Sequence, residues 1–274
     1  MTQPDPPRAD LLRVLDHPRV NSAIFFPRTD PGRPSRAGSE DLRIRVAPDV
    51  SVAARYHPHE SASPMILHFH GNGEIVADYD NIAPMFHAAG AALISVDYRG
   101  YGQSDGQPTA RALINDAHVV LDFVLKLRDE RADTGPLVIM GRSLGSAPAI
   151  ELAATRGEEF AGLVVESGFA QTPPLLALFG ISLDDLALDD NAQPDDYRDN
   201  EDKMAEVKKP VLILHAEWDQ LLTPWHAKRN FECATVSRKR LVMVPNADHS
   251  TIMMFGGRSY WGALETFLSG LTEE

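Results

Sequence analysis

Three short stretches carry side chains whose types and order could do covalent chemistry. Gly141-Arg142-Ser143-Leu144-Gly145 sets a hydroxyl between two glycines. Farther along, Glu217 and Asp219 follow one apolar run, and His249 follows the next. A serine hydroxyl is a weak nucleophile until an imidazole takes its proton. The imidazole in turn needs a carboxylate to orient it and balance its charge. Serine, acid and histidine, each just past an apolar run, is an order in which a parallel sheet can bring all three to one edge. A fourth stretch, His70-Gly71-Asn72-Gly73-Glu74, ends another apolar run. A His-Gly turn there can aim the Asn72 N–H at a developing oxyanion, with the Leu144 N–H as the second donor. Gly71 and Gly73 leave room for a substrate to approach the backbone.

Such groups need a scaffold, and the rest of the chain supplies its rhythm. Strands are predicted at 42–46, 51–57, 65–70, 91–98, 137–141, 162–166, 211–215 and 240–244. The first two flank the turn Pro48-Asp49 and alternate apolar with polar residues, as an edge hairpin would. The later runs, such as Val-Leu-Ile-Leu-His, are almost continuously apolar, which predicts parallel strands covered on both faces. Helical patterns fall near 9–15, 78–89, 110–130, 144–155, 224–235 and 258–269. Strands alternating with helices predict an α/β fold, a mostly parallel eight-stranded sheet flanked by helices. In that frame Ser143 sits on a sharp strand-to-helix turn with strained backbone angles, where Gly141 and Gly145 remove collisions.

The chain 1–274 reads as a single domain with a flexible tail at 1–8 and an irregular loop at 27–41. A lid-like insert at 169–209 lies between strands 6 and 7, since so long an excursion is unusual in a compact α/β unit. Hydrophobic residues make up 43% of the sequence, enough for a sizeable core. Asp plus Glu number 39 against 26 Lys plus Arg, a net charge of −13 that disfavours nucleic-acid and anionic-membrane partners. No apolar run approaches the length of about 18 residues that spans a bilayer. The first residues lack a leader pattern, so a cytoplasmic location is expected. Cys233 is the one cysteine, which leaves no intrachain disulfide and no multi-cysteine metal site.

These motifs, in this order, resemble the α/β-hydrolase family from about residue 42 to 271. The stretch 97–106, DYRGYGQSDG, is similar to the family's turn after the fourth strand. Together with His-Gly-Asn-Gly it points to the serine-aminopeptidase-like branch, which includes esterases and depalmitoylating thioesterases. The family often has Gly three residues before the acid; here Ala216 stands there, which leaves Glu217 as a second candidate. The spacing of Asp219 to Pro224 matches the family's D-x-x-x-x-P and favours Asp219. The resemblance implies a Ser143–His249–Asp219 triad, an oxyanion hole of the Asn72 and Leu144 amides, an acyl-enzyme intermediate, no cofactor and no metal. The expected substrate is a small acyl ester. A thioester or an amide attacked by the same triad is the alternative, and a non-catalytic binding protein on this fold is the alternative of another class.

Phe169, Leu175, Leu176, Phe179, Met253 and Met254 are candidates either for an apolar acyl channel or for ordinary core. Asp248, next to His249, reads as a loop acid. Glu74 and Arg142 flank the oxyanion and nucleophile turns and could pair across them. His68 and His70, on one face of a strand, read as packed and hydrogen-bonded residues. Between Ile181 and Asp202 lie nine acids and one base, Arg198, more than half of the net charge. That run is either a solvated segment or an acidic entrance that disfavours anionic substrates.

Overall fold

The structure, a computed structural model, describes residues 15, 17–32, 34–181 and 198–272. The tail 1–8, most of the 9–15 pattern and the bulk of the acidic run (182–197) lie outside the described residues. All eight expected strands form, as β1 (Glu40–Ala47), β2 (Val50–His57), β3 (Met65–Phe69), β4 (Ala92–Val96), β5 (Leu137–Arg142), β6 (Gly162–Glu166), β7 (Val211–Ala216) and β8 (Lys239–Val244). They make one sheet in the order β1-β2-β4-β3-β5-β6-β7-β8. β1 pairs antiparallel with β2, and β2 antiparallel with β4; every later pairing is parallel.

The helices are α1 (Pro18–Ile24), α2 (Ala83–Ala88), α3 (Ala110–Arg131), α4 (Ser146–Thr155), α5 (Thr172–Leu178), α6 (Asn200–Met204), α7 (Pro224–Cys233), α8 (Ile252–Phe255) and α9 (Gly257–Thr272). The helix expected over 78–89 is instead a 3-10 turn, Val76–Asn81, followed by α2. Pro84 explains the break: with no N–H it cannot continue a helix, but it fits in the first turn of a new one. The same rule accounts for α5, whose Pro173-Pro174 pair falls in a first turn.

Side chains of the parallel strands alternate between two cores, as a two-residue period demands. Leu67, Ile139, Val165 and Ile213 pack on one face with Leu121 of α3 and Ile150 of α4. Ile66, Val138, Val164 and Leu212 pack on the other with Phe86 of α2 and Leu264 of α9. From β3 the chain runs outward to β4, and from β5 it runs outward the other way, so β3 and β5 flank the sheet's switch point. Loops leaving the carboxyl ends of the strands on either side of such a point diverge and leave a crevice. The turns that hold Asn72 and Ser143 are the two that flank it.

Candidate active site

The turn that carries Ser143 is built by exclusion. Ser143 has φ +51°, a left-handed conformation that costs a non-glycine residue energy and persists only where its surroundings impose it. A Cβ on Gly141 would lie 2.3 Å from the Gly145 carbonyl oxygen, and one on Gly145 only 2.0 Å from the Phe69 carbonyl oxygen at the end of β3. The two glycines therefore let the turn close on itself and on β3. Ser146 Oγ donates to the Ser143 carbonyl at 2.6 Å, which fixes the first turn of α4 against the strained residue.

The acid and histidine loops are zipped together beyond the ends of β7 and β8. Glu217 N donates to Val244 O at 2.9 Å and Trp218 N to Ala247 O at 3.0 Å. Asn246, at φ +57°, turns the chain back there. Asp219 Oδ1 accepts from the N–H groups of Leu221 and Leu222, which leaves Oδ2 facing His249. His249 Nδ1 stands 2.7 Å from that oxygen, and its Nε2 stands 2.9 Å from Ser143 Oγ. Glu217 is exposed and outside this chain of contacts. Asp248 accepts from Ser250 N, Thr251 N and Thr251 Oγ1, so it shapes the histidine loop from outside. His215 Nε2 lies 3.6 Å from Asp219 Oδ2, but burial pushes its pKa down and keeps it from competing as a second cation.

On the β3 side the Asn72 side chain is used structurally. Its Oδ1 accepts from Phe26 N and Tyr101 Oη, and its Nδ2 donates to Ile24 O. Gly71 N donates to Glu74 Oε2 at 2.8 Å, and Gly73 takes φ +76°, so each glycine shapes the turn. His70 Nε2 contacts Asp97 Oδ1, and His68 Nδ1 contacts Ser95 Oγ, both inside the core.

Glu74 and Arg142 do meet, at 2.8 Å, within a larger buried set. Arg142 Nη1 donates to Glu166 Oε1 at 2.9 Å and Nη2 to the His249 carbonyl at 3.0 Å. Tyr79 donates to Glu74 and Tyr260 to Glu166. Burial alone would raise the Glu74 pKa, but Arg142, Tyr79 and the Gly71 N–H hold it at about 2. Burial raises Glu166, against the pull of Arg142 and Tyr260. Glu166, Tyr79 and Tyr260 were not singled out in the sequence. For Glu166 the signal existed, as a lone acid closing an apolar strand.

A cleft with about 410 Å³ of empty space, part of it open to solvent, lies beside Ser143. Ser143, Leu144 and Asn72 line it together with Leu175 and Phe179 of the α5 region. Phe169 contributes as well, and so do three residues not anticipated, Ile24, Leu221 and Leu222. No Asp, Glu, Lys or Arg is among these residues. Met253 is placed elsewhere: it is buried in the α8–α9 core with Val244 and Tyr260, its carbonyl taken by Trp261 Nε1. α8 leaves the histidine loop toward α9, which carries Met253 away from the cleft. Leu176 is core, and Met254 is exposed.

The family described as serine aminopeptidase, S33, matches residues 60–187. The alpha/beta hydrolase domain-containing protein WAV2 of Arabidopsis thaliana is 29% identical over 250 residues, covering 86% of this chain and 80% of its own. A lysophosphatidylserine lipase, ABHD12 of Danio rerio, is 29% identical over 65% of this chain and 49% of its own length. Among solved structures, an esterase of Pyrococcus furiosus superposes with TM-score 0.68 at 18% identity, over 89% of this chain and 99% of its own. A soluble variant of the monoglyceride lipase of Saccharomyces cerevisiae superposes with TM-score 0.65 at 18% identity, over 89% and 98%.

Proposed function

We propose that this chain, which has the α/β-hydrolase fold and resembles that family, is a serine hydrolase cleaving small, uncharged acyl esters through Ser143, His249 and Asp219. One observation carries the reading: a single imidazole stands 2.9 Å from a strained serine hydroxyl and 2.7 Å from a buried carboxylate. His249 Nε2 takes the Ser143 proton as Oγ bonds to the acyl carbon, and Asp219 stabilises the imidazolium that results. The Asn72 and Leu144 N–H groups hold the oxyanion where the cleft meets the nucleophile turn. As the tetrahedral centre collapses, the bond to the leaving alcohol breaks and His249 gives that oxygen its proton. Water, deprotonated by the same imidazole, then attacks the acyl-enzyme and releases the acid with free Ser143.

Among the described residues the lining is uncharged, which favours an apolar acyl group, because a carboxylate or phosphate carried into the cleft would lose its hydration and find no partner among them. We read the chain as one domain in which the described part of 169–209 forms the wall of the acyl cleft. No helix among the described residues is long and apolar enough to cross a membrane. The test is a panel of p-nitrophenyl esters of increasing chain length. Turnover is expected with the wild type, and Ser143→Ala should lower kcat roughly a million-fold. A purified Ser143→Ala that keeps most of its activity would end the proposal.

A further inference from the structure

Arg142 is next to the nucleophile and never touches the acyl cleft, yet it is one of the most enclosed charges in the protein, with a side chain 8% exposed. Its position follows from register. Gly141 pairs with Phe69 of β3, and Arg142 pairs with Glu166 of β6, so residue 142 ends β5 between its two neighbouring strands. From there its guanidinium uses three nitrogens on three different segments. Nε goes to Glu74, in the turn that carries the oxyanion amide of Asn72. Nη1 goes to Glu166, at the carboxyl end of β6. Nη2 goes to the main-chain carbonyl of His249 itself.

The partners are themselves fixed. Glu74 turns its other oxygen to the Gly71 N–H and the Tyr79 hydroxyl, at 2.8 and 2.7 Å. Glu166 is fully buried and takes the Tyr260 hydroxyl from α9. An isolated buried cation would be costly, and a buried pair is seldom a net gain over apolar packing. The cost is offset here by planar, multi-point hydrogen bonding, which only a guanidinium can supply.

We propose that Arg142 is a positioning residue that holds the oxyanion turn, the nucleophile turn and the histidine loop in register for catalysis, with Glu74 and Glu166 as its anchors. The inference rests on the serine-hydrolase reading above. Oxyanion donors and a general base must agree in position to a fraction of an ångström, and one guanidinium spans both. A lysine has one nitrogen and cannot span the three partners, even though it keeps the charge.

The test is kcat and KM for p-nitrophenyl butyrate, with active sites counted by the end-point of fluorophosphonate labelling. Arg142→Lys is expected to lower kcat per labelled site about 100-fold and Glu74→Gln about tenfold, with KM within about threefold of wild type. A purely structural role predicts something else: fewer labelled sites and a lower Tm, with kcat per site unchanged. That result in both variants overturns the proposal. If Arg142→Lys does not fold, Glu74→Gln decides alone, and a kcat per site within about threefold of wild type overturns it. Ser143→Ala is assayed alongside. If Ser143→Ala stays active, the hydrolase reading falls and the clamp with it. If Ser143→Ala is inert while Arg142→Lys and Glu74→Gln turn over normally per site, the clamp alone falls.

Discussion

The strand-end corner around Ser143 and the cover formed by α5, with α6 bonded behind it, differ in how they are held, although the corner and α5 border the same cleft. The corner is set first by backbone geometry, two glycines with no room for a Cβ and a strained φ at Ser143, and is then locked by one buried guanidinium fork. The cover is held by side chains reaching to its neighbours. Asp199 accepts from Thr172 N at the start of α5, Asn200 Nδ2 donates to Phe169 O, Glu201 pairs with Arg229 of α7, and Lys203 with Glu151 of α4. Contacts of the second kind are separate side-chain pairs, whereas the glycines of the corner leave no room for a Cβ. We therefore expect changes in the corner to alter the chemistry, and changes in the cover to alter which acyl group is accepted.

The largest separation should come from the acid. Asp219→Asn keeps the bonds from Leu221 and Leu222 but removes the charge facing His249, and should lower kcat about 10⁴-fold with little change in KM. A loss of less than about tenfold would show that the corner does not depend on this carboxylate.

Two glycine substitutions set the regions against each other in stability. Gly145→Ala forces a methyl into the Phe69 carbonyl and should cost several kcal/mol, on the order of 3 or more. Gly180→Ala, in the loop leaving α5, has a positive φ but open space, and should cost about 1 kcal/mol. Urea denaturation of both variants measures the difference. Equal costs would erase the proposed contrast.

For selectivity, Phe179→Ala should change kcat/KM for longer p-nitrophenyl esters relative to the acetate by about tenfold, in either direction, while kcat on the acetate holds. A uniform fall across the series would instead mean that the cover supports the chemistry.

Acid should act on the two regions with opposite sign. Glu74 has its pKa lowered from 4.5 to about 2, so its contribution is complete above 4.5 and lost only as pH falls through about 2. Asp199 is raised from 3.8 to about 6, by burial first and by Glu201 and Asp202, against the Thr172 bonds. The folded cover therefore holds a proton that the unfolded chain would release. Its stability is greatest below 3.8 and declines as pH rises through about 6. Hydrogen-exchange protection of α5, corrected for intrinsic rates, should be a few-fold greater near pH 5 than near pH 7, and Asp199→Asn should remove the difference.

The corner was largely legible in the sequence. Glycine spacing and three apolar runs each followed by a reactive residue reflect local sterics and strand alternation, which a linear pattern carries. Gly141 and Gly145 are required for the reason their spacing suggested. The cleft was less legible, because its walls come from distant segments. Phe169 and Phe179 line it, but Met253 belongs to the core behind β8, and Ile24 and Leu222 gave no signal that set them apart from other apolar residues. Periodicity identifies a buried side chain and leaves open which of several buried surfaces it joins. The acidic run shows the same limit: a count of charges could not reveal that Asp199 and Glu201 have internal partners.

Every step of the proposed reaction requires that Ser143 becomes acylated. The direct measurement is intact-protein and peptide mass spectrometry after brief incubation with a p-nitrophenyl ester and, separately, with a fluorophosphonate. One adduct per chain is expected, on the peptide containing Ser143, accompanied by a burst of about one equivalent of p-nitrophenol if deacylation is slow. Ser143→Ala should give neither adduct. An adduct on any other residue, or ester turnover by a chain that the fluorophosphonate leaves unmodified, would contradict the proposed reaction.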